Sequence, residues 1–189
     1  MNNPSTVNTP YGELINNYDG TITDTTNNIM WMSGLYGKRF EDGRWLGNPL
    51  RFKWKEATSL FGKSNNYLLQ YSDVENAGMR SEFSRNYQYG NKKVSFIGFD
   101  DWRLPTASEA WTISSRLFRS DSSEAFPNLS EELYHLFSGA QESTFWTASS
   151  LNKPGFFTGT PIHAWALNGV GSNMLDLWPD ERWPVLLVR

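Results

Sequence analysis

Asp101-Trp102-Arg103-Leu104-Pro105-Thr106-Ala107-Ser108-Glu109 is the stretch from which the fold can be read. Pro105 sets its own φ and drives Leu104 into an extended conformation, so the chain arrives here as a strand or tight turn. Thr106 and Glu109 match the S/T-x-x-E capping box, in which the Thr106 hydroxyl accepts from the Glu109 amide and the Glu109 carboxylate accepts from the Thr106 amide. Ala110, Ile113 and Leu117 follow at helical spacing, with Trp111 and Phe118 beside them. A strand-turn-helix corner is therefore encoded locally. Arg103 has two readings, an anion ligand or a structural guanidinium bonded to carbonyls or a carboxylate at the corner. Its five donors in a fixed fork favour the structural role, with Trp102 as core.

Outward from the corner, composition sets bounds. The chain of 189 residues suits one domain, or two small ones, with a real core. Nine Trp, eight Tyr and twelve Phe supply much buriable area, and fifteen Gly and nine Pro mark a loop-rich fold of short elements. A net charge of -3 predicts no nucleic-acid partner. The absence of Cys excludes disulfides, thiolate zinc sites and Cys nucleophiles. Residues 154–175 carry no charged side chain, but their glycines, asparagines and proline rule out membrane insertion. The start of the chain has no basic region and no apolar run, so no signal peptide is expected. That fits a cytoplasmic protein or a piece of a secreted one.

Before the corner, residues 1–17 read as an N-terminal arm or leader, and 18–189 as a single domain. Thr21-Ile22-Thr23 and Ile29-Met30-Trp31-Met32 read as a hairpin. Glu41-Asp42-Gly43-Arg44 reads as a second hairpin turn between Phe40 and Trp45. Lys38, Arg39, Arg44, Arg51, Lys53 and Lys55 give this region a basic excess, read as a solvated face ahead of an anion-binding patch. Trp54, Ala57 and Phe61 mark a first helix. Residues 71–93 form a long polar loop or insertion. After the corner, Ser130 is expected to cap a short helix that carries Leu133, Leu136 and Phe137 and stops at Gly139. Strands are expected at 144–148, 162–167, 174–178 and 183–188. Helices first and antiparallel strands last predict an α+β fold.

The ordered set Gly20-Thr21-Ile22-Thr23-Asp24, Met30-Trp31, Trp54-x-x-Ala57, the corner, Phe145-Trp146-Thr147-Ala148-Ser149, Ala164-Trp165 and Pro184-x-x-x-Val188-Arg189 resembles a bacterial family. That family is typified by the C-terminal domain of the collagen-like adhesin Lcl. The resemblance covers residues 18–189. It implies a C-type-lectin-like fold, with two main helices flanking small antiparallel sheets and termini close together. It also implies an extracellular or cell-surface binding module for a glycan or protein ligand, since the adhesin example binds sulfated glycans. Some relatives are variable proteins of diversity-generating retroelements. The corner is also similar to that of formylglycine-generating enzymes, but their oxidation requires the Cys this chain lacks. Leu187 departs from the family, where many members have Cys.

Catalytic motifs are weak. Gly62-Lys63-Ser64 imitates a P-loop, but Ala57 replaces its first Gly and a helix ends there rather than starts. Gly169-Val170-Gly171 begins a dinucleotide fingerprint that Met174 breaks. His135 has no metal-spaced partner, and a zinc site at His163 would need further His or carboxylates placed by the fold. No enzyme activity and no cofactor are expected, and an enzyme with a site near His163 is an alternative. The better candidate is the segment between the last strands. Trp165, Asn168, Ser172, Asn173, Asp176, Trp178, Asp180 and Arg182 put amides, charges and aromatics on a scaffolded, glycine-rich segment suited to ligand binding. Asp176, Asp180 and Glu181 fall short of the six to eight oxygens calcium takes, so no metal is expected. The other alternative is a structural tip module that forms a homo-oligomer.

Overall fold

The computed structural model describes residues 6–9, 12–61, 94–113, 129–140, 144–151, 163–168 and 174–189. Over these residues the architecture is mixed α+β, with small antiparallel sheets and few, short helices. The first sheet has the order β1-β2-β3-β4, with β1 Thr6–Thr9, β2 Gly12–Asn16, β3 Thr21–Asp24 and β4 Ile29–Met32. β3 and β4 are the expected hairpin, in which Ile22 faces Trp31 and both are fully buried. Asp24 holds its turn, accepting at 3.0 Å from the amides of Thr26 and Asn27, a local bond that Asp favours in turns.

Within the segment read as an arm, Thr6–Thr9 and Gly12–Asn16 belong to this sheet. β1 pairs with β2, and β2 with β3. Its inward positions are Val7, Thr9 and Leu14, all buried. Only two of the three are apolar, so the period-2 pattern is faint in the sequence.

β5 Arg39–Glu41 and β6 Arg44–Leu46 form the second hairpin, with Phe40 opposite Trp45. Asp42 and Gly43 have φ of 48° and 76°, as a two-residue hairpin loop with positive φ at both positions requires. The Trp45 ring lies against two glycines. A Cβ on Gly34 would fall 2.2 Å from it, and one on Gly139 2.4 Å. Gly139, expected as a helix stop, does not take a left-handed φ. It is needed because Trp45 and the Gly34 backbone approach so closely. From Trp45 the aromatic rings continue to Phe96 at 5.5 Å and on to Trp102 at 6.0 Å between centroids, within the range of favourable aromatic pairs.

Three helices follow within the described residues: α1 Trp54–Phe61, α2 Ala107–Trp111 and α3 Leu129–Leu136. α1 buries the expected Trp54, Ala57 and Phe61. α3 starts at Leu129, so Ser130 lies inside the helix and is not its cap. Asn128 and Ser130 are equally good cap formers, and composition does not choose between them. Leu133, Leu136 and Phe137 are buried as their spacing implies. The 71–93 loop and the helical positions Leu117 and Phe118 lie outside the described residues.

The last sheet has the order β7-β8-β9, with β7 Thr144–Leu151, β8 His163–Asn168 and β9 Met174–Leu177. Residues 183–188, expected as one strand, instead form isolated bridges to several partners. Trp183 bridges Phe52, Val185 bridges Trp146, and Val188 bridges both Trp31 and Arg103. Two buried indoles tie α1 and the segment just before it to β7. Trp54 Nε1 donates to the Thr147 carbonyl at 2.9 Å, and Trp146 Nε1 to the Phe52 carbonyl at 2.7 Å.

The Phe96–Phe99 bridge encloses a tight turn in which Ile97 has φ 47° and Gly98 φ 85°. A β-branched residue in the left-handed region is strained by about 1–2 kcal/mol. Ile97 is also partly exposed, at 36%. Ile97→Asn should therefore stabilise the fold by about 1 kcal/mol in urea unfolding. A destabilised variant would show that Ile97 packing outweighs the backbone strain.

Candidate functional site

The corner residues come together as their types require. Thr106 is the N-cap of α2 with ψ 167°, and both bonds of the capping box are formed. The same Glu109 carboxylate takes two bonds from Arg103, Nη2 to Oε1 at 2.7 Å and Nη1 to Oε2 at 2.8 Å. Arg103 Nη1 also donates to the Leu104 carbonyl at 3.1 Å. Glu109 therefore caps the helix and neutralises Arg103 at once. The side chains of Arg103 and Glu109 are only 11% and 17% exposed. A charge so placed must be paired, and this pairing leaves the guanidinium in a structural role.

The corner is stitched to three neighbours. The Leu104 amide donates to Phe61 at the end of α1, Arg103 exchanges two backbone bonds with Val188, and the Ala148 amide of β7 donates to Pro105. Ser149 Oγ accepts from the Ala107 amide at 3.0 Å. Beside the corner, Arg189 Nε donates to Asp101 Oδ1 at 2.7 Å, and its guanidinium carbon lies 3.5 Å from the Phe99 ring centroid. The hydrogen bond from Arg189 holds the Asp101 carboxyl below its ordinary value of 3.8; burial opposes it, and the charge of Arg189, a backbone hydrogen bond and the charge of Arg103 add to the lowering.

The candidate binding residues divide into three groups. Trp178 and Asp180 share one turn, which Arg182 directly follows. Trp165 and Asp176 are direct register partners on β8 and β9, and Asn168 ends β8 opposite Thr144. Ser172 and Asn173 lie outside the described residues, as do Gly62-Lys63-Ser64 and Gly169-Val170-Gly171. Met174 begins β9, so a strand, not the helix of a dinucleotide site, occupies that position. His163 opens β8, and His135 is an exposed residue of α3 with Glu131 at 3.7 Å.

The Trp178 turn is fixed by its bonds. The Glu181 amide donates to the Trp178 carbonyl at 3.1 Å, which closes a four-residue turn with Pro179 at the position proline prefers. The Pro179 carbonyl accepts from the Trp54 amide at 3.0 Å, so the turn satisfies the first free N–H of α1. Glu56, three residues into α1, accepts from the Lys53 amide at 2.9 Å. Glu56 also receives Arg182, Nη1 at 3.2 Å and Nη2 at 3.1 Å. Lys53 Nζ meets Asp180 Oδ1 at 3.1 Å, and Trp183 Nε1 meets Glu181 Oε2 at 2.9 Å. The Arg51 guanidinium lies 5.8 Å from the Trp183 ring centroid, within cation–π range. On this frame Trp178 is 59% exposed.

Arg51, Lys53 and Glu56 were absent from the sequence-derived site. Glu56 three residues after a helix start is a visible half of a capping box. Its second partner, Arg182, stands 126 residues away and leaves no local signal. The basic region is accordingly not one patch, since Arg39 pairs with Glu41, Lys53 with Asp180, and Arg51 with an aromatic ring. Among the described residues no three His, Cys, Asp or Glu stand together as metal ligands, and no helix is long and apolar enough to cross a membrane. Compared with known proteins, the chain matches no family model and no curated protein.

Two outcomes test the corner. Glu109→Ala leaves Arg103 without its carboxylate and should cost about 3 kcal/mol in urea unfolding, whereas Glu109→Gln, which keeps an acceptor, should cost less. Equal stability of the alanine variant and wild type would remove the corner from its structural role. Asp101→Asn tests the depressed carboxyl. Folding lowers its pKa, so its contribution is complete above 3.8 and is lost as the pH falls through the depressed value. This exposed pair is worth less than about 1 kcal/mol. The stability gap between wild type and variant should close on acidification, and a gap that persists or widens would contradict this.

Proposed function

We propose that this protein is a non-catalytic ligand-binding domain of C-type-lectin-like architecture, related to the adhesin C-terminal domains its motifs resemble and displayed at a cell surface. The ligand is a glycan or a surface protein. The observation that carries the reading is the exposure of Trp178, at 59%, on a turn locked to the start of α1 through the Pro179 carbonyl. Four other tryptophans, Trp31, Trp54, Trp102 and Trp146, are buried in the core. An exposed large aromatic on a rigid support supplies contact area at little ordering cost. Covering it gives up to about 3 kcal/mol before the costs of association.

The architecture supports the same reading. Small antiparallel sheets and few helices make up the fold, and residues 183–189 bond to both β4 and β7. Those residues run beside β4, which brings the end of the chain next to the first sheet. Loops between strands on such a scaffold are where binding residues collect.

Glycan arrays and pull-downs of surface proteins, run with wild type and Trp178→Ala, test this. The variant should keep the wild-type unfolding midpoint and lose about ten-fold or more in affinity. Binding unchanged by Trp178→Ala would place the ligand elsewhere and refute the site.

A further inference from the structure

The charges around Trp178 specify more than the presence of a ligand. Arg51, Lys53 and Arg182 stand against Glu56, Asp180 and Glu181, three cations and three carboxylates. Lys53 is paired with Asp180 and Arg182 with Glu56. Glu181 holds the Trp183 N–H, and Arg51 lies over the Trp183 ring. The surface is therefore balanced and already engaged. Resting on the binding role of the Trp178 turn, the geometry points to an uncharged glycan, built from neutral hexoses or N-acetylhexosamines, as its ligand.

A sulfate or carboxylate group that met Lys53 or Arg182 would stand beside Asp180 or Glu56, whose like charge repels it. A cationic ligand at Asp180 or Glu56 would be repelled by Lys53 or Arg182 in the same way. A neutral sugar meets neither repulsion. Its apolar C–H face covers the exposed Trp178 ring, and its hydroxyls reach groups with bonding capacity to spare. An ammonium has three donors and a carboxylate about four acceptor positions, and a single bond at 3.1 Å joins Lys53 to Asp180. Both remain open to solvent, the Asp180 side chain at 91% and that of Lys53 at 42%. A hydroxyl both donates and accepts, so one sugar can meet this pair without breaking it.

The test uses the whole chain on an immobilised panel of chitotriose, mannotriose and N-acetyllactosamine, beside sialylated N-acetyllactosamine and heparin fragments. Neutral members should bind and shift Trp fluorescence. Raising the salt from about 0.05 to about 0.5 M should change their affinity less than about two-fold, because screening acts on net charge. Trp178→Ala should lose about ten-fold and Trp178→Phe should recover part of it. Binding restricted to heparin or sialylated members, or falling steeply with salt, overturns the neutral-ligand assignment. If that binding still needs Trp178, the binding role of the turn stands. Capture of a protein through Trp178 with no glycan bound has the same consequence. No Trp178-dependent binding of any kind removes both.

Discussion

A polypeptide that runs through a core must bond its backbone there, and residues 183–189 do so on both edges at once. Val185, Leu186, Leu187 and Val188 are fully buried. Trp183, Val185, Leu187 and Arg189 bond to Phe52, Tyr36, Met32 and Met30, while Pro184 and Val188 turn the other way to Trp146 and Arg103. This is the alternation of an extended chain, in which successive peptide groups point to opposite edges. An unpaired buried amide or carbonyl costs about 1–3 kcal/mol, so the first sheet, the corner and β7 must all be in place for this segment to enter the core. The first and last sheets are small by themselves; this shared segment joins them.

The position of the Trp178 turn follows from the same framework. The turn lies between β9 and residues 183–189, and both flanks are hydrogen-bonded, β9 to β8 and Trp183 to Phe52. α1 begins at Trp54 without a side-chain cap of the usual Ser, Thr, Asp or Asn type at Lys53. The Pro179 carbonyl supplies one missing partner and Glu56 another. A helix start that needs an outside carbonyl thus holds the turn that presents Trp178. The ion pairs around it are half-exposed and contribute little stability individually. Their effect is to place charge, because each joins the start of α1 to the turn.

Arg103 and Trp178 look alike in the sequence, since each sets a charge or a large ring in an unexpected context. Burial separates them. Arg103 is 9% exposed and bonded to Glu109, whereas Trp178 is 59% exposed. The corner therefore belongs to the scaffold and the ring to the surface.

The amino-acid sequence by itself determined what short-range physics controls. The corner was legible because Pro105, Thr106 and Glu109 act within a few residues of one another. The two hairpins were legible from turn residues, and α1 from the spacing of Trp54, Ala57 and Phe61. Trp178 and Asp180 could be singled out, but only as residue types on a loop. Tertiary structure alone decided the rest. β1 and β2 were hidden because their inward positions include Thr9 and their pattern is short. Residues 183–188 read as a simple strand because sequence periodicity is blind to how many partners a strand has. Arg182 met Glu56 and Lys53 met Asp180 across 126 and 127 residues. Local propensity carries no information on such pairings, which depend on where the packed core brings the chain back to itself.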